Sequence, residues 1–301
     1  MPASDRFSTD LLLSHGYVLA DDPHEREIMM PYPPLGILSL SSYLKSRGLK
    51  VELCDPTFSS LGAFRDHLET CKPRVVGLSC NLLTRANILR MVAWSRDAGA
   101  TVVLGGPEAG PNADEYLERG AQVVVPGEGE ETLEVLVRHI RSRGLGELHQ
   151  VHGIIFDAGA GRLHRTPARP LIQPLSSLPW PDREAVDFER YLDTWKKHHG
   201  NSSASLITAR GCPFTCAWCS HGVFGQTHRR RTVEDVADEV AGLVERFGPD
   251  RLWYADDVFT HHRPWTLRYA DELQRRGLHL PFECISRADR INEQIADALA
   301  E

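Results

Sequence analysis

A regular alternation of apolar runs and helix-like segments over residues 10–142 limits the fold of this chain more than any other feature. Five short runs rich in Val, Leu and Ile are each followed by a segment whose apolar residues have helical spacing; in order, the runs are DLLLSHGYVLA, KVELCD, RVVGLSC, TVVLGG and QVVVPG. Strands that are apolar throughout are typical of a parallel sheet covered by helices on both faces. We therefore predict an α/β, doubly wound, Rossmann-like and flavodoxin-like domain of five strands over residues 1–145.

The ligand of such a domain is expected at the carboxyl ends of its strands. Those ends read SCN (79–81), GGPE (105–108) and GEGEE (127–131). Glycine and small polar residues there let the backbone approach a ligand closely. The first strand is not followed by a G-x-G-x-x-G fingerprint, which argues against a dinucleotide ligand.

The composition changes after residue 145 and changes again after residue 200. Residues 166–184 contain five prolines, a density that opposes both helices and sheet ladders. We predict a proline-rich linker over 146–200, with a small hairpin, GIIFDAGAGRLHR, near its start. From Ser205 the strand–helix alternation resumes for three units, which gives a second domain over 201–301.

Length, charge and hydropathy narrow the class of protein. The 301 residues suit two domains, and the net charge of −7 argues against a general nucleic-acid binder. No apolar run approaches the roughly 20 residues that span a bilayer. The N-terminal residues do not resemble a secretory signal, so we expect a cytoplasmic protein with reduced cysteines.

Three cysteines, Cys212, Cys216 and Cys219, lie close together in the stretch RGCPFTCAWC, with the spacing C-x3-C-x2-C. Thiolates at this spacing can converge on one soft metal centre from a single loop. The residues alone leave four interpretations open: an iron–sulfur cluster with one free iron, a zinc site completed by His221, a redox dithiol, and simple packing. The loop follows the first strand of a new strand–helix series, where barrel-type α/β enzymes place their chemistry.

This stretch, with the strand before it and the helix after it, resembles the cluster loop of radical S-adenosylmethionine enzymes. The resemblance implies that Cys212, Cys216 and Cys219 ligate a [4Fe–4S] cluster and that Trp218 lies near the adenine of S-adenosylmethionine. Asp256 and Asp257, in YADDVF, match the family position that contacts the amino group of S-adenosylmethionine. Arg287, in SRADRI, matches a segment near the cofactor and is expected to pair with its carboxylate.

The same resemblance implies a (β/α)6 partial barrel for the second domain. Six strand–helix units need roughly 190 residues, whereas residues 201–301 hold about three such units. We therefore expect only the N-terminal half of the radical S-adenosylmethionine domain, in the front portion of a longer protein or in a truncated gene product.

Residues 30–140 resemble the cobalamin-binding domain that precedes many radical S-adenosylmethionine enzymes. The resemblance implies that cobalamin lies across the strand ends, and the residues expected to contact it are Thr57, Ser79, Asn81, Gly105, Gly106, Gly127 and Glu128. Cobalamin mutases carry a D-x-H-x-x-G motif after the second strand, but the corresponding residues 55–60 contain no histidine. The sequence therefore favours the radical subfamily over a mutase.

The function implied by both resemblances is a cobalamin-dependent radical S-adenosylmethionine methyltransferase. In that family the cluster donates an electron to S-adenosylmethionine, a 5′-deoxyadenosyl radical takes a hydrogen from an unactivated carbon, and methylcobalamin delivers a methyl group. The expected partners are a small-molecule substrate and a reductant such as flavodoxin or ferredoxin. Two alternatives stay open: a cobalamin-dependent cyclase or rearrangement enzyme without methyl transfer, and a truncated, non-catalytic cobalamin- or zinc-binding module.

One further expectation concerns the run of three arginines, Arg229 to Arg231, that follows the cysteine loop. Runs of like charge are usually solvated, so we expect these side chains on the surface.

Overall fold

The computed structural model describes residues 7–159, 161–219 and 223–300, which form two compact units. The first unit comprises the residues up to Ile28, Gly36–Leu171 and Pro181–Val186. The second comprises Met29–Leu35, Ile172–Trp180 and the residues from Asp187 onward.

The first unit is built on a seven-stranded sheet. Its strands are β1 (Thr9–His15), β2 (Val51–Cys54), β3 (Pro73–Ser79), β4 (Thr101–Gly105), β5 (Val123–Val124), β6 (Ile155–Asp157) and β7 (Leu163–Arg165). The spatial order is β2-β1-β3-β4-β5-β6-β7, in which the first five strands are parallel and the last two antiparallel. This order confirms the doubly wound fold, and its switch point lies between β1 and β3.

Among the described residues, six α-helices accompany this sheet: α1 (Pro23–Ile28), α2 (Leu35–Ser46), α3 (Leu61–Cys71), α4 (Arg85–Asp97), α5 (Ala113–Glu118) and α6 (Glu130–Arg143). Helix α3 buries Leu61, Phe64 and Leu68, which recur at helical spacing. Helix α4 buries Ile88 and Met91 in the same way. These side chains join the strands in one apolar core, which fixes the carboxyl edge of the sheet.

The second unit repeats the strand–helix alternation. Its elements are α7 (Phe188–His199), β8 (Ser203–Leu206), β9 (Ala209–Arg210), β10 (Arg229–Arg230), α8 (Val233–Phe247), β11 (Arg251–Tyr254), α9 (Arg263–Arg276), β12 (Phe282–Cys284) and α10 (Glu293–Ala300). Strands β8, β11 and β12 form a parallel sheet in the order β12-β11-β8, and β9 pairs with β10 in antiparallel fashion. This is the arrangement expected of the first three units of a partial barrel.

Helix α8 shows how directly its sequence encodes it. The hydroxyl of Thr232 caps the first turn by accepting a hydrogen bond from Asp235 N at 3.3 Å, and the chain leaves the helix at Gly248, whose φ of +55° suits glycine. Between them Val236, Val240 and Leu243 are buried along one face. The helix therefore forms where its apolar spacing predicts it.

Residues 146–200 contain more regular structure than their prolines suggest. The predicted hairpin is present as β6 and β7, and it extends the first unit's sheet. Helix α7 belongs to the second unit, where Trp195 is buried and its Nε1 donates to the carbonyl of Pro31 at 2.8 Å. The bounds given above for the two domains and the linker stay predictions.

Across the described ranges, none of the helices is long and apolar enough to cross a membrane.

Replacing Phe64 tests the core beneath the first sheet. Phe64 is fully buried, so Phe64→Ala should lower the free energy of unfolding of this unit by about 3–5 kcal/mol, through lost burial and a residual cavity. Ile88→Val, at another fully buried position of the same core, is the matched control and should cost only about 0.5–1.5 kcal/mol. Urea titrations followed by circular dichroism measure both; equal small losses would contradict the assigned core.

Candidate functional site

The carboxyl edge of the first unit's sheet brings several predicted cobalamin residues together. Ser79 ends β3, and its register partners are His15 at the end of β1 and Gly105 at the end of β4. The three residues therefore lie side by side across the centre of the sheet, next to the switch point. This is the position at which doubly wound folds bind their ligands.

Glycine at this edge is required by the backbone itself. Gly106 has a φ of +93°, and a Cβ there would lie 2.5 Å from Cys80 O and 2.9 Å from Cys80 N. Cys80 N also donates to Gly105 O at 2.8 Å, so the two loops cross in direct contact. A Cβ on Gly105, by contrast, would meet only Val125 O, at 3.7 Å. Gly106 is thus required by its close packing against Cys80, while Gly105 leaves room for a ligand to approach the backbone closely, as the predicted cobalamin site would need.

A histidine that the sequence did not single out closes one side of this edge. His15 Nδ1 accepts a hydrogen bond from Tyr17 N at 3.1 Å, so the proton of the neutral ring is on Nε2, which donates to Asp55 Oδ1 at 3.0 Å. Asp55 Oδ1 also accepts from Thr57 N at 3.0 Å. Both nitrogens of His15 are therefore engaged, and the bond from Nε2 joins the end of β1 to the loop after β2. The sequence offered one sign of this role, namely that a histidine ends the first strand.

The remaining predicted cobalamin residues lie in the surrounding loops. Thr57 is buried, and its carbonyl accepts from Leu19 N at 2.9 Å. Asn81 is exposed, and its Oδ1 accepts from Thr84 N at 2.9 Å, just before α4. Gly127 and Glu128 are half-buried in the loop before α6. Contact of any of these residues with cobalamin stays a prediction.

In the second unit, the cysteine loop is closed at its base by a short antiparallel pair. Ala209 and Arg210 of β9 lie opposite Arg230 and Arg229 of β10. Gly211 follows with a φ of +86°, and a Cβ there would lie 2.3 Å from Thr227 O. The two ends of the loop are thus held in contact at the carboxyl end of the first strand of the partial barrel. Residues 220–222, including the possible zinc ligand His221, lie outside the described residues.

The three cysteines share the first half of this loop. Cys212 and Cys216 are half-buried, Cys219 is exposed, and Cys219 N donates to Cys216 O at 3.0 Å. Trp218 beside them is 89% exposed. Three thiols in one loop suit an iron–sulfur cluster chemically. Among the described residues, no three or more His, Cys, Asp or Glu side chains are yet arranged to hold a metal ion, so ligation stays a prediction.

Phe214, between the first two cysteines, is surrounded by positively charged and aromatic groups. The guanidinium of Arg287 lies 4.3 Å from its ring centroid and that of Arg290 5.0 Å, while the His261 ring approaches edge-on at 5.4 Å. Arg287 also pairs with Asp289, Nε to Oδ1 at 2.8 Å and Nη2 to Oδ2 at 3.4 Å. In this structure the fork of Arg287 therefore holds Asp289, and its pairing with S-adenosylmethionine stays a prediction.

The two adjacent aspartates have different environments. Asp256 is 1% exposed, and its Oδ1 accepts from the backbone N–H groups of Thr208 and Ala209, at 2.7 and 3.1 Å. Its Oδ2 accepts from the Thr208 hydroxyl and from Arg230 Nη2, the latter at 2.9 Å. Asp257 is exposed. Asp256 thus joins β11 to the turn that leads into the cysteine loop, and Asp257 is the better placed of the two to meet a ligand.

The expectation that the arginine run is solvated is wrong. Arg229 is 6% exposed and donates from Nη1 to Ile172 O at 2.9 Å, and the side chain of Arg230 is 7% exposed. Arg231 pairs with Asp235 at 2.7 Å and also with Glu239 of α8. Each guanidinium has a buried acceptor from a segment distant in sequence or from the next helix, which a count of charges along the chain does not reveal.

Two histidines, His228 and His261, lie close to Arg230 and to the cysteine loop. The His228 and His261 ring centroids are 4.5 Å apart. Burial, and next the charge of Arg230, lower the pKa of His228 from 6.5 to about 4, and burial also lowers the pKa of His261. Both rings are therefore neutral at neutral pH.

Comparison with known protein families matches part of the chain to one family. The B12 binding domain family matches residues 26–137. This confirms the cobalamin-binding domain expected over about 30–140.

Comparison with curated proteins and solved structures extends the likeness to most of the chain. The chain is 28% identical over 281 residues to an uncharacterized methyltransferase of Pyrococcus horikoshii, covering 89% of this chain and 58% of the relative. It is 30% identical over 263 residues to the anaerobic magnesium-protoporphyrin IX monomethyl ester cyclase of Rubrivivax gelatinosus, covering 84% of this chain and 46% of the relative. The chain thus spans about half the length of the curated relatives it matches.

Among solved structures, the chain matches the radical S-adenosylmethionine methyltransferase TsrM from Kitasatospora setae, a structure with cobalamin and a [4Fe–4S] cluster bound. The TM-score is 0.77 at 19% identity, and the match covers 96% of this chain and 56% of that chain. At this identity the match establishes the fold, and it confirms the fold class predicted from the sequence.

Removing the charge of Asp256 tests the link between β11 and the cysteine loop. Asp256→Asn leaves Arg230 buried without its counter-charge, so it should lower the free energy of unfolding by about 3–5 kcal/mol. Asp271→Asn, at an exposed aspartate of α9, is the control and should change it by no more than about 0.5 kcal/mol. Chemical denaturation followed by tryptophan fluorescence measures both, and a mild effect at Asp256 would refute the link.

The depressed pKa of His228 predicts a pH dependence of stability. Between pH 6.5 and about 4 the unfolded chain binds a proton that the folded chain does not, so this contribution is complete above pH 6.5 and is lost as the pH falls toward 4. His228→Gln should therefore reduce the acid-induced loss of unfolding free energy by about 1–2 kcal/mol, discounted for partial exposure. Urea midpoints across this pH range measure the effect. His279→Gln, an exposed histidine of the same unit, should keep the wild-type slope.

Proposed function

We propose that this chain, which belongs to the cobalamin-binding radical S-adenosylmethionine enzymes, takes part in transferring a methyl group to an unactivated carbon of a small-molecule substrate. The observation that carries the proposal is the anchored C-x3-C-x2-C loop at the carboxyl end of β8, in the same chain as a B12 binding domain. A relative whose match covers 89% of this chain is named an uncharacterized methyltransferase, and this name supports methyl transfer as the reaction.

The second unit would hold the cluster and S-adenosylmethionine. Cys212, Cys216 and Cys219 would ligate a [4Fe–4S] cluster and leave one iron for S-adenosylmethionine, and Trp218 would lie against its adenine. When bound, these groups supply a carbon-centred 5′-deoxyadenosyl radical. Asp257 would accept from the amino group of S-adenosylmethionine, while Asp256 keeps the turn before Gly211 in place through Thr208 and Ala209.

The first unit would hold cobalamin across the carboxyl edge of its sheet. Gly105 would let cobalamin approach the backbone, Gly106 follows it, and Ser79 lies between Gly105 and His15. Asn81, Thr57, Gly127 and Glu128 would complete the contacts from the loops. Residues 55–60 offer no histidine to cobalt, and His15 has both ring nitrogens engaged, as shown by its bonds to Tyr17 and Asp55. We therefore infer a cobalt without a histidine ligand from this edge.

The electron donor and the cellular location remain predictions. A cluster of this type needs a one-electron reductant, for which a flavodoxin or a ferredoxin is the expected partner, and the cytoplasm is the expected compartment.

A cyclisation or rearrangement without methyl transfer is the second candidate. It is favoured by the 30% identity to a protein named as a cyclase, which covers 84% of this chain. The products distinguish the two reactions: methylation should release S-adenosylhomocysteine together with 5′-deoxyadenosine, whereas cyclisation should release 5′-deoxyadenosine alone. The third candidate, a binding module without catalysis, predicts neither product.

Cysteine substitutions test the cluster directly. After anaerobic reconstitution with iron and sulfide, the wild-type chain should hold about four irons per chain and absorb broadly in the visible range. Cys212→Ala, Cys216→Ala and Cys219→Ala should each lose most of this iron. Cys284→Ala, at a half-buried cysteine of β12 outside the motif, is the matched control and should keep it.

Metal analysis of the same samples separates the proposal from its rivals. One zinc and no iron in the wild-type chain would refute it in favour of a zinc module. Cobalamin should bind independently of the cysteine substitutions, because its residues belong to the first unit; failure of the wild-type chain to bind cobalamin would also refute the proposal.

A further inference from the structure

We propose that Arg287 is a positioning residue for the iron–sulfur cluster and acts through the thiolate of Cys216; the inference rests on the proposed function, since it requires the cluster. Arg287 Nη1 lies 3.5 Å from Cys216 Sγ, within the range of a hydrogen bond to sulfur. The two residues are 71 positions apart in the sequence, so the contact is made by the fold. It assigns Arg287 to the cluster rather than to the carboxylate of S-adenosylmethionine.

Two further contacts hold the guanidinium in this position. Asp289 takes its Nε and Nη2 edges in a bidentate pair, at 2.8 and 3.4 Å. The ring of Phe214 takes one face, with the guanidinium carbon 4.3 Å from the ring centroid. A guanidinium carries its five N–H groups in a rigid plane, so fixing the far edge and one face directs Nη1 at the sulfur. Phe214 lies two residues before Cys216, so the same ring ties Arg287 to the cysteine loop.

Arg290 provides an internal comparison. It faces the same ring, with its guanidinium carbon 5.0 Å from the Phe214 centroid, and its Nε lies 3.6 Å from Asp289 Oδ2. Unlike Arg287, it makes no hydrogen bond to a cysteine sulfur within the described ranges. The two arginines therefore share their neighbours and their charge but differ in the contact with Cys216.

This contact has a defined electrostatic consequence. The reduction potential of an iron–sulfur cluster depends on net charge and on hydrogen bonds to its sulfurs. An N–H donated to a ligating thiolate stabilises the reduced cluster, which carries one more negative charge. Arg287 and Arg290 carry the same charge and share the carboxylate of Asp289, so the directed hydrogen bond is what distinguishes the effect of Arg287. Arg287 should therefore raise the reduction potential of the cluster.

The test compares Arg287→Gln with Arg290→Gln in the anaerobically reconstituted full chain. The readout is the reduction midpoint, obtained by potentiometric titration and electron paramagnetic resonance of the reduced cluster, with iron and sulfide content measured on the same samples. R287Q should make the cluster about tenfold harder to reduce, which for one electron is a shift of about 59 mV to more negative potential. R290Q should shift it much less.

The possible results separate this inference from the proposed function. A wild-type chain with its cluster but an unmoved midpoint in R287Q, or equal shifts in the two variants, overturns the role of Arg287 and leaves the proposed function standing. A wild-type chain that holds no cluster overturns the proposed function and this inference with it. If R287Q assembles no cluster, Arg287→Lys decides: it keeps the charge but loses the fork, so its midpoint should fall below that of the wild type. A wild-type midpoint in R287K would refute the directed hydrogen bond.

Discussion

The hydrogen bonds and the ion pair of the buried Asp256 carboxylate are the interactions on which the base of the cysteine loop in the second unit depends. It accepts two backbone N–H groups from the turn after β8 and pairs with Arg230 on β10, so one side chain ties together three segments. A charge buried to this degree is tolerated only when every acceptor site is filled, and removing either partner leaves the other uncompensated. The base of the cysteine loop, formed by β9 and β10, lies directly on this network. The ion pair of Asp256 with Arg230 therefore helps to fix where the cysteine loop begins and ends, although it includes no cysteine.

Both units place their candidate sites by the same physical rule. In each, parallel strands end at one edge, and the loops that follow are free of the sheet's packing demands. The first unit has glycine at the end of β4, where Gly105 lets a ligand approach the backbone closely. The second unit instead gathers chemistry there: thiols from the loop after β8, aspartates after β11 and an arginine after β12.

The surroundings of the cysteine loop combine neutral histidines with charged arginines. His228 and His261 are kept neutral by burial, while Arg287 and Arg290 supply permanent positive charge beside Phe214. Charged surroundings of this kind argue against three cysteines that only pack as apolar side chains.

Some of this molecule was determined by local sequence alone. The doubly wound sheet, the helices such as α8, and the cysteine loop after a strand follow from apolar periodicity, caps and spacing, all of which act over a few residues. The tertiary structure decided what distant residues do to one another: that Arg230 is buried against Asp256 instead of solvated, that His15 pairs with Asp55, and that Arg287 faces Asp289 and Cys216. Except for the local pair of Arg287 with Asp289, these contacts join residues that are separated by 26 to 71 positions in the sequence. Charge and hydrogen-bonding capacity are written in the sequence, but their partners are chosen only when the strands align, because register and burial decide which groups lose water together.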